Sequence, residues 1–450
     1  MKSLPIDVYA QRRQRLLSQM GEHSIAILPA AQELTRSRDT EYAFRQDSYF
    51  YYLSGFNEPD AWLVLKPATA TEVEQSILFC RDKDRFAEIW QGRRLGAENA
   101  VQQLAVDHAY ALSEMPEKLR ELVSGTQTLW YAQGTYPACD ERISALLNEL
   151  RNNPKKGLAA PTQQHDIRVL LDEMRLIKDA AELDVMRQAG EISAQAHCRA
   201  MQSSHAGVGE YQLEAEIHYH FARNGARFPA YSSIVGGGAN ACILHYTENQ
   251  DAIANDELVL IDAGCELAGY AADITRTFPV NGVFTEPQRQ LYQLVLDAQY
   301  AAFKQVKPGS NFHAVNQAAI AVIVKGLVDL GILSGDINTL IEQNAQRAYF
   351  MHGIGHWLGL DVHDVGDYQR IDGRQTRAFE PGMVLTIEPG IYIDDTADVD
   401  PKWHNIGIRI EDNLLITENG YENFTAQVPK EIADIESLMA NAHAAAETEI

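Results

Sequence analysis

Cysteine is scarce in this chain. Five occur in 450 residues (Cys80, Cys139, Cys198, Cys242 and Cys265), odd in number, scattered and without a CxxC spacing. That argues against a disulfide framework and predicts small core residues in a reducing compartment. Basic side chains are also in deficit, 38 Lys and Arg against 62 Asp and Glu, for a formal net charge of −24. A nucleic acid or an anionic membrane needs a basic face to displace counterions, so neither partner is expected. No apolar run approaches the roughly 20 residues of a membrane span, and the opening MKSLPIDVYAQRRQRLL lacks the apolar core of a signal peptide, so the cytoplasm is the expected location. Hydrophobic residues are not lacking: at 46 % they suffice for sizeable cores, and the length predicts two globular domains.

Up to about Pro161, short apolar runs (IAILPA, YFYYLSGF, AWLVL, SILFC, TLWYA) alternate with helical stretches such as YAQRRQRLLSQM, an α/β pattern. The aromatic run Tyr49 to Tyr52 reads as sheet core. The segment from Arg151 to Gln164, rich in Pro, Gly, Asn and Lys, reads as a linker near a domain boundary. From about Leu170 two halves repeat one plan: a long amphipathic helix, a second helix, a Gly-rich stretch bearing His, then a pair of acidic strands. Thr285 and Gln288 form a capping-box pattern at the head of one of these helices.

The acidic strands are the unusual feature. ANDELVLIDAG and EPGMVLTIEPG end alike, with Asp262 in one and Glu388 in the other; Asp273 and Glu411 follow in further strand-like runs. An unpaired buried carboxylate costs several kcal/mol or more, so such acids require neutralisation, and a divalent metal is the best candidate. If the tip of the hairpin LVLIDAGCELAGYAADITRTF is Leu267-Ala268, Asp262 and Asp273 face each other directly. Two carboxylates so close do not both stay ionised without a cation. Arg409 shares a strand face with Glu411 and can neutralise or orient the cluster. Near the second pair, MHGIGHWLGLDVHD supplies His352, His356 and His363; its glycines argue against a regular helix, and it is not HExxH. His245, in ACILHYTEN, holds the equivalent place in the first half.

The set IDAG, DITRTF, HGIGHWLGLDVHD, IEPGIY and GIRIED resembles the pita-bread metallopeptidases. The resemblance implies an α/β N-terminal domain (1–172) and an α+β, creatinase/aminopeptidase-like pita-bread catalytic domain (173–450) with pseudo-twofold symmetry. It implies two divalent ions, with Mn²⁺ favoured by the oxygen-rich ligands, held by Asp262, Asp273, His356, Glu388 and Glu411. Asp273 and Glu411 would bridge the ions, with Glu388 also moving a proton. His245, His352, His363 and Arg409 would assist catalysis, and Tyr392 would form the substrate pocket. Trp90, in EIWQGRRLG, would close it, from a neighbouring subunit of a homo-oligomer (dimer or tetramer). Similarity to the bacterial Xaa-Pro aminopeptidase branch runs almost end to end and implies release of the first residue from peptides with proline second. A prolidase acting on Xaa-Pro dipeptides is the nearest rival, and a non-catalytic peptide-binding module the rival from another class. The loop Asp367 to Phe379 departs from the pattern, leaving open whether Arg370 or Arg374 reaches substrate.

Overall fold

A computed structural model describes residues 4–369 and 376–448, so Arg370 and Arg374 lie outside the described residues. The chain forms two compact units, one from Ser3 to Met174 and the other from Arg175 onward.

The N-terminal unit is a six-stranded sheet: β1 (Ser24–Pro29), β2 (Trp62–Lys66), β3 (Gln75–Cys80), β4 (His108–Ala111), β5 (Thr128–Trp130) and β6 (Gln163–His165). Its strand order is β4-β3-β2-β1-β5-β6. The apolar runs are buried as continuous stretches because helices such as α1 (Met115–Val123) and α2 (Pro137–Asn152) cover them: Ile27, Val64, Ile77 and Phe79 pack with Leu119 and Ile143. Two expectations change here. The run Tyr49 to Tyr52 belongs to a helix, Ser48–Ser54, not to the sheet. Asp47 caps it by accepting from the Phe50 N–H at 2.9 Å, and Gly55, at φ 62°, ends it. The expected linker is built into the unit: α2 runs to Asn152 and β6 pairs with β5 as an edge strand. Its polar composition suits an edge rather than a tether.

In the second unit the expected long helix is two. One helix, Arg168–Leu176, stops at Leu176, and α3 (Ala180–Ser203) starts afresh because Asp179 and Glu182 cap each other reciprocally, both bonds 2.9 Å. Helix α3 pairs with α4 (Glu210–Arg223), and in the second half α5 (Glu286–Phe303) pairs with α6 (Phe312–Asp329). The Gln288 side chain accepts from the Thr285 N–H at the head of α5, as its pattern predicts. Helix α6 is long and apolar enough to cross a membrane by length and composition, contrary to the sequence expectation; it packs on α5, burying Val315, Ala319, Ile323, Val324 and Leu327.

Each helix pair is followed by a three-stranded antiparallel sheet. The first has the order β7 (Ile234–Gly237), β8 (Leu258–Asp262), β11 (Thr275–Pro279); β9 (Cys265–Leu267) and β10 (Tyr270–Ala271) extend the β8–β11 hairpin. The second comprises β12 (Val384–Ile387), β15 (Asp412–Thr417) and β16 (Gly420–Asn423), with β13 (Gly390–Ile393) and β14 (Ile406–Arg409) extending it. The halves join where the Glu411 N–H donates to the Thr275 carbonyl at 3.0 Å.

Candidate metal centre

The hairpin register differs from expectation by two residues. Leu267 pairs with Tyr270 and Asp262 with Thr275, so the turn is Ala268-Gly269, with φ of 52° and 87°. Positive φ at both central residues is the primed hairpin turn that matches strand twist, and glycine supplies it cheaply. Asp273 is therefore the diagonal neighbour of Asp262 on one face, not its direct partner. Direct facing occurs in the second half instead: Ile387 pairs with Asp412, Gly390 with Arg409, and the shared register sets Glu388 opposite Glu411.

The four carboxylates converge on one cavity of about 360 Å³, whose lining includes Asp262, Asp273, His356, Glu388 and Glu411. His245, His352, His363 and Arg409 line it as well. Donor atoms of Asp273, His356 and Glu411 lie within 4.8 Å of one another. The His356 Nε2 is 3.4 Å from Asp273 Oδ2 and 3.5 Å from Glu388 Oε1. Its Nδ1 lies 2.9 Å from the Trp357 carbonyl, which fixes the ring with Nε2 toward the acids. Backbone closeness sets this position: a Cβ on Gly355 would come within 2.0 Å of the Thr386 carbonyl, so only glycine lets the loop approach β12.

Charge in the cavity is unbalanced. The Arg409 guanidinium contacts Asp262 Oδ2 at 2.7 Å and donates to Thr275 Oγ1 at 3.1 Å and the Tyr392 hydroxyl at 2.9 Å. Burial alone would raise the Asp262 carboxyl, but Arg409 and then the Tyr231 hydroxyl hold it below its usual value. The other three go the opposite way. Burial, then Asp262, raises Asp273. Burial pushes Glu388 up to about 7 despite His356 and Arg409, and burial with Asp273 and Glu388 raises Glu411 well above the carboxylate range. Burial would lower His356, yet the hydrogen bond to Asp273 and the charge of Glu388 bring it to about 9.

A cation fits these donors. Glu411 Oε2 accepts from Thr275 at 2.7 Å, while its buried Oε1 has no hydrogen-bond partner. Tyr231 places its hydroxyl 2.6 Å from Asp262 Oδ1 and 2.5 Å from Asp273 Oδ1, and one hydroxyl hydrogen serves only one of them at a time. An orphaned carboxylate oxygen, three acids shifted toward protonation and one imidazole form a hard oxygen and nitrogen set suited to a divalent ion.

The remaining predicted residues sort differently. His352 has both ring nitrogens engaged, Nδ1 at 2.8 Å from the Gly353 carbonyl and Nε2 at 2.8 Å from the Tyr392 hydroxyl. Burial, then Arg409, lowers it to about 4, so it is neutral and lacks the spare N–H that an oxyanion donor needs. Tyr392 is buried, and its hydroxyl bridges His352 and Arg409, two residues of the cavity lining. His245 and His363 are exposed at the cavity, and the His363 ring lies 4.3 Å from that of His356. Trp90 is in the N-terminal unit, on the helix Arg85–Gln91, and is 77 % exposed.

Several residues escaped sequence reasoning. Tyr231, Thr275 and Tyr368 reach the site, and Asn413 holds the Asp273 backbone by accepting from its N–H at 3.0 Å and donating to its carbonyl. Asp364 is a buried anchor: Arg175 contacts it at 2.6 Å and Lys178 at 2.9 Å, while Arg175 also reaches Asp361 at 2.7 Å. These ion pairs tie the His352 to Asp364 loop to the start of the unit. The acid in VHD was the available signal.

The chain belongs to metallopeptidase family M24, whose model matches residues 184–418. The aminopeptidase P N-terminal domain matches residues 9–130. The Xaa-Pro aminopeptidase of Escherichia coli is 49 % identical over 439 residues, covering 98 % of this chain and 99 % of that protein. Zn-substituted E. coli aminopeptidase P in complex with product superposes with a TM-score of 0.95, at 49 % identity over 98 % of this chain and 99 % of that one. Proline aminopeptidase P II from Yersinia pestis gives 0.94 at 52 % identity, covering 97 % of this chain and all of the other.

Proposed function

We propose that this chain is a metalloaminopeptidase that releases the first residue from peptides with proline in the second position, using two divalent ions, Mn²⁺ by preference. One observation carries the reading: four carboxylates from two pseudo-symmetric half-sheets meet the His356 imidazole in a cavity where a buried Glu411 oxygen lacks a partner. The near full-length identity to Xaa-Pro aminopeptidases supports it over a dipeptide-restricted prolidase. Asp262, Asp273, His356, Glu388 and Glu411 would hold the ions. Bound there, divalent metal supplies a water of lowered pKa and polarises the scissile carbonyl.

The protein's own groups do the rest. Glu388, a carboxylate in the cavity, would accept and return the proton of the attacking water. Arg409 fixes Asp262 in its ionised form at the end of the cavity where a peptide ammonium is attracted. Burial, then His356, lowers the His363 imidazole, so it is neutral and suited to donate a hydrogen bond to a carbonyl that gains charge. A tertiary Xaa-Pro amide has no N–H, so the site needs no acceptor for one.

The exposed Phe86, Ile89 and Trp90, at 74, 70 and 77 %, support a homo-oligomer in which a neighbouring copy covers this face. All five cysteines are free, in keeping with a cytoplasmic location. The test is Gly-Pro against Arg-Pro-Pro with Mn²⁺-loaded protein. Release of the first residue from the tripeptide is expected; cleavage confined to the dipeptide would mean prolidase, and binding without cleavage a peptide-binding module.

A further inference from the structure

The backbone amides of the two glutamates in the second half do not join their strands to each other. The Glu388 N–H donates to the Ile354 carbonyl at 2.9 Å, and the Glu411 N–H to the Thr275 carbonyl at 3.0 Å. A side chain from α5 spans the gap instead. Gln299, fully buried, places Nε2 3.3 Å from the Ile387 carbonyl and 3.1 Å from the Ile410 carbonyl, the residues immediately before Glu388 and Glu411. The same nitrogen lies 3.0 Å from Asp412 Oδ2.

The orientation of that carboxamide is determined at both ends. Three acceptors surround Nε2, and the Lys430 ammonium donates to Oε1 at 2.8 Å, so a flipped amide would set oxygen against oxygens and an N–H against an ammonium. Lys430 also reaches Asp412 Oδ2 at 2.8 Å. Arg276 completes the frame from the first half: its guanidinium donates to the Glu411 carbonyl at 2.6 Å, the Thr275 carbonyl at 2.9 Å and Asp412 Oδ1 at 2.7 Å. Two cations, one carboxylate and one amide thus form a buried network behind the ligand strands. The first half has a simpler version, in which His197 on α3 makes one such contact, Nε2 to the Ala263 carbonyl beside Asp262 at 2.9 Å.

We propose that Gln299, oriented by Lys430, is a positioning residue that sets the spacing of the Glu388 and Glu411 backbones and hence of the two carboxylates offered to a divalent ion. The inference rests on the ligand assignment above. Two carbonyl oxygens that converge on one amide repel each other once the shared donor is gone, so the strands part where the ligands are attached. Glu411 is already tied to Thr275 through Oε2, which leaves its side chain little room to compensate for a moved backbone. The effect falls on metal affinity and turnover, not on peptide binding.

The experiment measures Mn²⁺ affinity of the full-length protein without peptide, by competition with a chelator, and then kcat and KM for an Xaa-Pro-Xaa tripeptide at saturating Mn²⁺. Gln299→Met keeps the side chain's length without its hydrogen bonds; it is expected to weaken Mn²⁺ binding and to lower kcat by roughly 10-fold each, with KM unchanged, the lower end of what lost outer support to a metal ligand costs. Lys430→Met should lower both roughly 3-fold, the size of one net hydrogen bond, and should add nothing to Gln299→Met, because it acts through the amide. Ile217→Val, a core truncation on α4, is the control: its denaturant midpoint should fall while Mn²⁺ affinity and kcat stay at the wild-type values. Wild-type affinity and kcat in Gln299→Met, or additive losses in the double variant, overturn the positioning role. Should Gln299→Met not fold, the less buried Lys430 decides alone, and unchanged affinity in Lys430→Met overturns it. Wild-type protein that binds Mn²⁺ no better than Asp273→Asn removes the ligand assignment itself, which distinguishes the two failures.

Discussion

The two acid pairs of the catalytic unit occupy equivalent strands, yet the protein treats them differently. In the first half, two aspartates sit diagonally and take nearly all the help available: Arg409 on Asp262 at 2.7 Å, and the Tyr231 hydroxyl on both. In the second half, two glutamates face each other and receive little; Glu388 rises to about 7 and Glu411 keeps an unmet oxygen. The only guanidinium lining the cavity among the described residues is committed to one side. Asp262 alone is thus held ionised by Arg409, whereas Asp273 and the two glutamates are shifted toward their protonated forms, Glu388 to about 7.

The strongest way to break this contrast is at the first pair. Asp273→Asn should abolish ion binding and reduce peptide cleavage to background, beyond the roughly 10²–10⁴-fold lost with one proton-transfer group. Metal analysis alongside circular dichroism checks it, and full activity with unaltered ion content would discard the ligand assignment. Next in size is Glu388→Gln. Turnover should fall by roughly 10²–10⁴-fold while at least part of the metal remains, and the acidic limb of the kcat profile should disappear. Retention of that limb would move the proton-handling role elsewhere.

A stability measurement on metal-free protein sharpens the same comparison. Glu388, Glu411 and Asp273 bind protons more tightly folded than unfolded, so they favour the fold at low pH and lose that contribution as pH rises from the ordinary carboxylate value through their raised ones. His356 acts in the same direction between about 6.5 and 9, its stabilisation complete below the unfolded value. Asp262 opposes them, contributing above its unfolded value. Metal-free protein should therefore weaken by on the order of 2 kcal/mol from pH 5 to pH 9, and divalent ion should erase the slope. Denaturant midpoints at several pH values decide this; a flat profile without metal would remove this account of the shifted acids. Smallest of all, Tyr231→Phe should cost about 1 kcal/mol in metal-free protein and less once ions share the aspartates, visible as a chelator-dependent melting difference.

Much of the site was legible because carboxylates inside apolar strands break an otherwise strict rule, and Asp262, Asp273, Glu388 and Glu411 do so at repeated positions. Register was not, because Leu267-Ala268 and Ala268-Gly269 are adjacent candidates for one turn; the backbone needs two left-handed residues, which only the second supplies. Tyr231 carried no signal, as a lone tyrosine in a loop acquires meaning only when folding sets it between two aspartates. Tyr49 to Tyr52 misled because aromatic composition favours strands, whereas the Asp47 cap and Gly55 stop act locally and prevailed. The histidine loop was recognised as non-helical, but composition could not show that His352 would spend both nitrogens on Gly353 and Tyr392.

The ion pairs of Asp364 with Arg175 and Lys178 bear on how the polypeptide can be divided. A fragment starting at the reciprocal cap of Asp179 would contain every ligand and still leave Asp364 as a buried, uncompensated anion, with the histidine-bearing segment untethered. The smallest excisable catalytic piece therefore begins at or before Arg175, ahead of the Asp179 cap that a boundary drawn from secondary structure would choose.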